Sequence, residues 1–154
     1  METSESCETS VEQFLNWYGS GEDGCSPTGD QWREVLSRPA GDGLTLINYF
    51  KLRATAVYGE RFATSDDPIS GEEAFNRYAA VSIPTMERVG GKFLLVGQYD
   101  STFLGDDEDW DVVAIGTYPD KQAFLALYGD ENYRAAFQHR SAACARQKVI
   151  VCSG

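Results

Sequence analysis

The order of its segments predicts an α+β protein of the ferredoxin-like kind, a split βαβ unit with a four-stranded antiparallel sheet. Three observations predict it. Four stretches have strand character (LTLINYF, KFLLVGQYDSTFL, WDVVAIGTY and KVIVC), and helical patterns divide them into the order β-α-β-β-α-α-β. The acidic loop GDDED joins the second and third stretches as a hairpin, which makes them antiparallel. Both faces of these strands carry apolar side chains, yet only two main helical segments are available, enough for one face. A lone sheet would expose more apolar surface than a stable monomer tolerates, so a homodimer that packs sheet on sheet is expected.

Length and charge bound the rest. The chain has 154 residues, one domain with something to spare. Its net charge of -11 is unevenly placed, because seven acids and no base precede Arg33. Beyond them stand 17 acids against 13 bases, so the body is only mildly acidic. Nucleic acid and anionic membrane are excluded as partners on this balance, since both require a basic face. The start, METSESCETSVEQ, has neither a basic end nor an apolar core and does not read as a secretory signal. A cytoplasmic location is expected, with Cys7, Cys25, Cys144 and Cys152 as free thiols; Cys7 and Cys25 would be able to pair in an oxidising compartment.

Two parts are expected: an acidic leader over 1–30, partly helical or flexible, and a single domain over 31–154. In the leader, Val11, Phe14, Leu15 and Tyr18 have helical spacing over a short amphipathic stretch, followed by a Gly- and Ser-rich loop. Asp30 is expected to cap QWREVLSR, which Pro39 ends and whose Trp32 packs on the body. LTLINYF reads as a central strand buried on both faces, with Asn48 its one polar interior residue. About twenty residues without a clean period follow, the pattern of a lid or binding loop. Ser70 and Glu73 form a capping-box sequence, opening a helix that presents Phe75, Tyr78, Ala79, Ser82, Met86 and Val89 and contains Pro84. In the next two strands, Phe93, Leu95, Gly97, Tyr99 and Phe103 are expected to share one face, and Trp110, Val112, Ala114, Gly116 and Tyr118 another. Helices over 120–128 and 131–144 and the strand KVIVC complete the chain.

The stretch WDVVAIGTYPDKQAFLALYGDENYRAAFQHRSAA resembles the C-terminal signature of the DUF1330 family. LTLINYF and SGEEAFNRYAAVSIPTMERVGGKFLLVGQ are similar to its first strand, first helix and second strand, so the resemblance covers about residues 30 to 154. It implies a ferredoxin-like dimer of the dimeric α+β barrel superfamily and assigns no activity. The wider superfamily includes cofactor-free monooxygenases, lactone isomerases and haem-binding proteins, an analogy of fold alone.

Candidate chemistry centres on the single histidine. His139 is able to exchange a proton near neutral pH, and Arg140 beside it to hold a carboxylate or enolate oxygen. Neighbours on a helix point about 100° apart, so one of the two faces a given pocket. The structural alternative is a His139 bond to a backbone carbonyl and an Arg140 pair with Asp111 or Glu131. Asn48 must find a partner in its apolar strand, either loop backbone or ligand. Trp110 would stack on a flat ligand and Asp111 act as a base, unless both serve the strand end. An Asn, a Trp and a His also form the trio of haem-degrading relatives, with the His at a different place in the sequence. Tyr49, Tyr78, Tyr99 and Tyr118 are candidates for a cavity lining, Arg53, Tyr58 and Arg61 for a lid, and GDDED for calcium. There is no P-loop, GxGxxG, HExxH or GxSxG.

The reading is a protein that binds or transforms a small organic acid or aromatic metabolite between sheet and helices, without a cofactor. As an enzyme it would be oxygenase- or isomerase-like, with His139, Asn48 and Asp111 catalytic and Arg140, Trp110, Tyr99, Tyr49 and Arg53 on the substrate. The alternatives are a non-catalytic ligand-binding or protein-interaction module, and a haem-binding protein.

Overall fold

The computed structural model describes residues 4–59 and 68–154. Among the described residues the elements follow in this order: α1 (Ser4–Tyr18), α2 (Gly29–Leu36), β1 (Leu44–Leu52), α3 (Gly71–Arg88), β2 (Lys92–Gln98), β3 (Val112–Tyr118), α4 (Lys121–Gly129), α5 (Glu131–Ala143) and β4 (Cys144–Ser153). The sheet is fully antiparallel in the order β2-β3-β1-β4, the ferredoxin-like arrangement.

Side-chain alternation divides this sheet into two unlike faces. Leu44, Leu46 and Phe50 of β1, and Ala114, Gly116 and Tyr118 of β3, point to the helices and are buried. Ile47 pairs with Ile115 and Ile150, and Tyr49 with Val113, on the side that no helix covers. Leu95 (50% exposed) and Ile150 (37%) extend that apolar surface to both outer strands. β1 is therefore central, as its composition predicts, but one of its faces is half-buried rather than buried.

Several local expectations are corrected. α1 is 15 residues long, more than the short stretch its apolar spacing marks. Val11 and Phe14 join the main core with Trp32, Val35 and Leu36 of α2, and the Trp32 indole stacks on Phe14 at 4.2 Å. Thr28, not Asp30, caps α2: its hydroxyl accepts from the Gln31 amide and the Gln31 side chain accepts from the Thr28 amide. Asp30 instead lies in the first turn and pairs with Arg33 at 2.8 Å. At α3 only the Ser70 half of the box forms, since Glu73 turns to Arg77.

β2 stops at Gln98, and a register shift between Phe93 and Leu95 splits the face predicted for it. Phe93 pairs with Gly116 towards the helices, whereas Leu95 pairs with Ile115 on the open side. Tyr99 to Asp111 form a loop, with Phe103 fully exposed at its tip. Within that loop Asp109 has φ 54, and the reversal puts Trp110 against Tyr49 on the open side, out of phase with Val112 and Ala114. β4 starts at Cys144 without a linker after α5, four residues before the KVIVC run.

Candidate functional site

The helical face of the sheet holds two adjoining cavities with Arg140 between them. The first, about 50 Å³, lies over Asn48 and Phe50 against α3 and α5. The second, about 490 Å³, lies over Leu46, Gln147 and Val149 beneath α2 and the loop before it. Leu46, Phe124, Tyr128 and Arg140 line both. The smaller space suits a few waters, and the larger matches an ordinary small-molecule site.

Arg140 is 4% exposed and has no carboxylate partner among the described residues. Its position follows from α5: Asp130 caps the helix through the Tyr133 amide, and Tyr133, Ala136, Phe137 and Arg140 form the buried stripe. The guanidinium donates from Nε to Gln147 Oε1 at 2.7 Å and from Nη1 to the Tyr78 hydroxyl at 3.1 Å. Phe50 lies 4.8 Å from its centre and Phe137 5.3 Å, so aromatic faces supply part of the counter-field. The Tyr78 hydroxyl continues to Tyr133 at 2.7 Å. Burial opposes the charge of Arg140, but the phenols of Tyr78, Tyr128 and Tyr133 and the Cys144 thiol favour it, and its pKa shifts upward.

Three phenols and one thiol here resist ionisation. Burial is the first cause of the raised pKa of Tyr118, Tyr128 and Tyr133, which keeps these phenols protonated. Burial likewise pushes the Cys144 thiol up to about 11. Asn48 donates from Nδ2 to the Ala114 carbonyl at 3.1 Å, which meets the strand's demand for a partner and fixes the amide at the floor of the smaller cavity. The surroundings of Arg140 therefore offer hydrogen-bond donors and a fixed positive charge.

The remaining residues singled out from the sequence stand elsewhere. His139 points away from Arg140 and lies 2.6 Å, through Nδ1, from the Tyr58 hydroxyl, half-buried against the segment after β1. Its pKa is lowered, first by burial and then by Arg77. Asp111 accepts from the Leu52 amide at 2.7 Å, where β1 and β4 shift register, and lies 3.5 Å from Lys51. Trp110 and Tyr49 pack together, tilted by 36°, on the open face with Arg146 over the indole at 4.5 Å. Tyr99 ties its own loop together through Asp107 and Thr102. Arg53 binds the Ala143 carbonyl through its backbone amide, beside the start of α3. Asn48, Trp110 and His139 occupy three separate surfaces, so the haem-type trio does not assemble.

Arg140 is thus paired with neither Asp111 nor Glu131, the structural alternative, but with Gln147 and Tyr78. Tyr58 meets His139, and Arg61 lies outside the described residues. Among the described residues no group of three or more His, Cys, Asp or Glu is arranged for a metal ion, and no helix is long and apolar enough to cross a membrane. Gln147 is a partner of Arg140 that the sequence pattern did not single out. Gln147 had a signal: it is a polar residue in phase with Val149 and Val151.

A family model described as "Domain of unknown function (DUF1330)" matches residues 62–153. The chain is similar to a solved protein of unknown function from Rhodopseudomonas palustris, RPA0582, at 31% identity and a TM-score of 0.74, over 84% of this chain and 95% of that one. The methylated form of RPA0582 gives 30% identity and 0.75, over 84% and 93%. A dimeric ferredoxin-like protein of unknown function from Thermobifida fusca matches at 14% identity and 0.42, over 74% and 92%. No curated protein matches.

Proposed function

Given that the chain belongs to the DUF1330 family, which is defined by sequence and carries no assigned reaction, we propose that it binds a small organic acid between sheet and helices, with Arg140 as the carboxylate anchor. One observation carries this reading: a guanidinium 4% exposed, between two cavities, without a carboxylate partner among the described residues. A buried charge that lacks its counter-ion is costly, and a ligand carboxylate in a bidentate pair offsets that cost. The apolar lining from Phe50, Phe124 and Phe137 suits a hydrocarbon or aromatic body on that acid. Binding is favoured over proton-transfer chemistry because His139 lies on another surface and the buried phenols stay protonated. The uncovered sheet face, with Ile47, Ile115 and Leu95, is the surface through which two copies pair.

Arg140→Met with benzoate and butyrate as probes tests the anchor. Titration calorimetry should show the wild type binding them and the variant losing at least about tenfold in affinity, the value of a charge-assisted bond. Thermal unfolding and circular dichroism without ligand check that the variant still folds, since Gln147 Oε1 loses its donor. Unaltered affinity in a folded variant would remove Arg140 from the site.

A further inference from the structure

The larger cavity has a charge character opposite to that of the chain around it. The protein carries -11 overall and the segment before Arg33 contains no base, yet the guanidiniums of Arg38 and Arg140 both line this space. Neither has a carboxylate partner among the described residues; Arg38 reaches only the Ser153 hydroxyl, at 3.3 Å. Glu34 is the one acid among the lining residues, and Lys148, which also lines the cavity, is paired with Glu108 at 3.9 Å.

Two guanidiniums without a carboxylate partner among the described residues, around one space of about 490 Å³, define a site suited to acceptor atoms at more than one point.

We propose that this cavity binds a small dicarboxylate, one carboxylate held by Arg140 and the other by Arg38. The inference rests on the reading of Arg140 as an anion anchor and adds the substrate class. It also gives a function to the chain before β1. Arg38 precedes residues 62–153, where the family model matches, so the second anchor is supplied by a segment outside that match. Further bonds hold that segment against the body. The Lys121 ammonium, buried in α4, donates to the last carbonyl of α2, Leu36, at 2.7 Å, and the Tyr18 hydroxyl donates to the Tyr128 carbonyl.

The test compares glutarate with butyrate, and phthalate with benzoate, by titration calorimetry on the full chain. The wild type should prefer each dianion by about tenfold or more, one charge-assisted pair's worth. Arg38→Leu should bring that preference close to one, while Arg38→Lys keeps part of it and Arg140→Met weakens dianion and monoanion alike. Far-UV circular dichroism and thermal unfolding identify any variant that fails to fold, and the Lys variant then still carries the comparison. Equal affinity for monoanion and dianion in the wild type would overturn the dicarboxylate assignment and leave the Arg140 anchor intact. No binding of any of the four acids would overturn both. Inorganic phosphate binding as tightly as glutarate would also overturn it, because charge alone would then suffice.

Discussion

The two faces of the sheet have the same strands and almost the same apolar content, yet they solve different problems. The open face is uniform: Ile47, Val113, Ile115 and Leu95 offer hydrocarbon and no directional chemistry near its centre. The helical face is interrupted by Asn48 on β1, Gln147 on β4 and Arg140 beneath α5, each of which needs a specific partner. Uniform oil selects a partner of the same kind, and a second copy of this face is the simplest one. Placed polar groups select a ligand. On the proposed reading, the difference between the faces separates assembly from recognition.

The largest effect should come from polluting the uniform face. Ile115→Asp places a carboxylate at the middle of β3, opposite Ile47. Desolvating it in a sheet-on-sheet contact should weaken self-association by more than about 100-fold. Light scattering should show a homodimer for the wild type at micromolar concentration and a monomer for the variant, with native secondary structure in both. A wild-type mass at the monomer value would refute the pairing.

Much of this architecture was legible in the sequence because it depends on periodicity. The strand order, the central place of β1 and the helical pair before β4 follow from alternating and helical spacing, which survive any detail of packing. What escaped was set by single backbone events. The bulge at Phe93–Leu95 and the reversal at Asp109 leave no period, yet they move Leu95 and Trp110 to the open face. Arg140 was singled out as the neighbour of His139; its partners Gln147 and Tyr78 were not, because contacts between β4, α5 and α3 join residues 62 positions apart and more local ones with equal ease. His139 drew attention for its chemistry, and only the helix's rotation decides that it faces Tyr58.

The helical face should break next at its backbone rather than its side chains. Gly71 opens α3 where the chain leaves β1, and a Cβ there would stand 2.0 Å from the Arg53 carbonyl oxygen. Backbone cannot yield as a flexible side chain can, so Gly71→Ala should cost on the order of 3 kcal/mol, an overpacked core contact. Urea denaturation read by tryptophan fluorescence measures it directly. A loss under about 0.5 kcal/mol, the scale of a neutral surface change, would mean that α3 is not seated on the strand exit.

His139 should give the smallest effect, and its sign distinguishes its surface from that of its neighbour Arg140. Burial and the Arg77 guanidinium on α3 lower its pKa in the folded protein, while Tyr58 holds Nδ1 and Glu73 of α3 acts on the same tyrosine. The unfolded chain therefore takes up a proton at a higher pH than the folded one. Folding stability is full above the unfolded histidine's pKa, falls as pH drops through it, and levels off below the lowered folded value. His139→Gln, which cannot titrate, should flatten this slope between about pH 7.5 and 5, with most of the change near the free imidazole's pKa of about 6.5. Because His139 lines neither cavity, the affinity for carboxylic acids at pH 7.5 should not change. A variant that loses acid binding while keeping the wild-type stability profile would join the two surfaces that the helix's rotation has set apart.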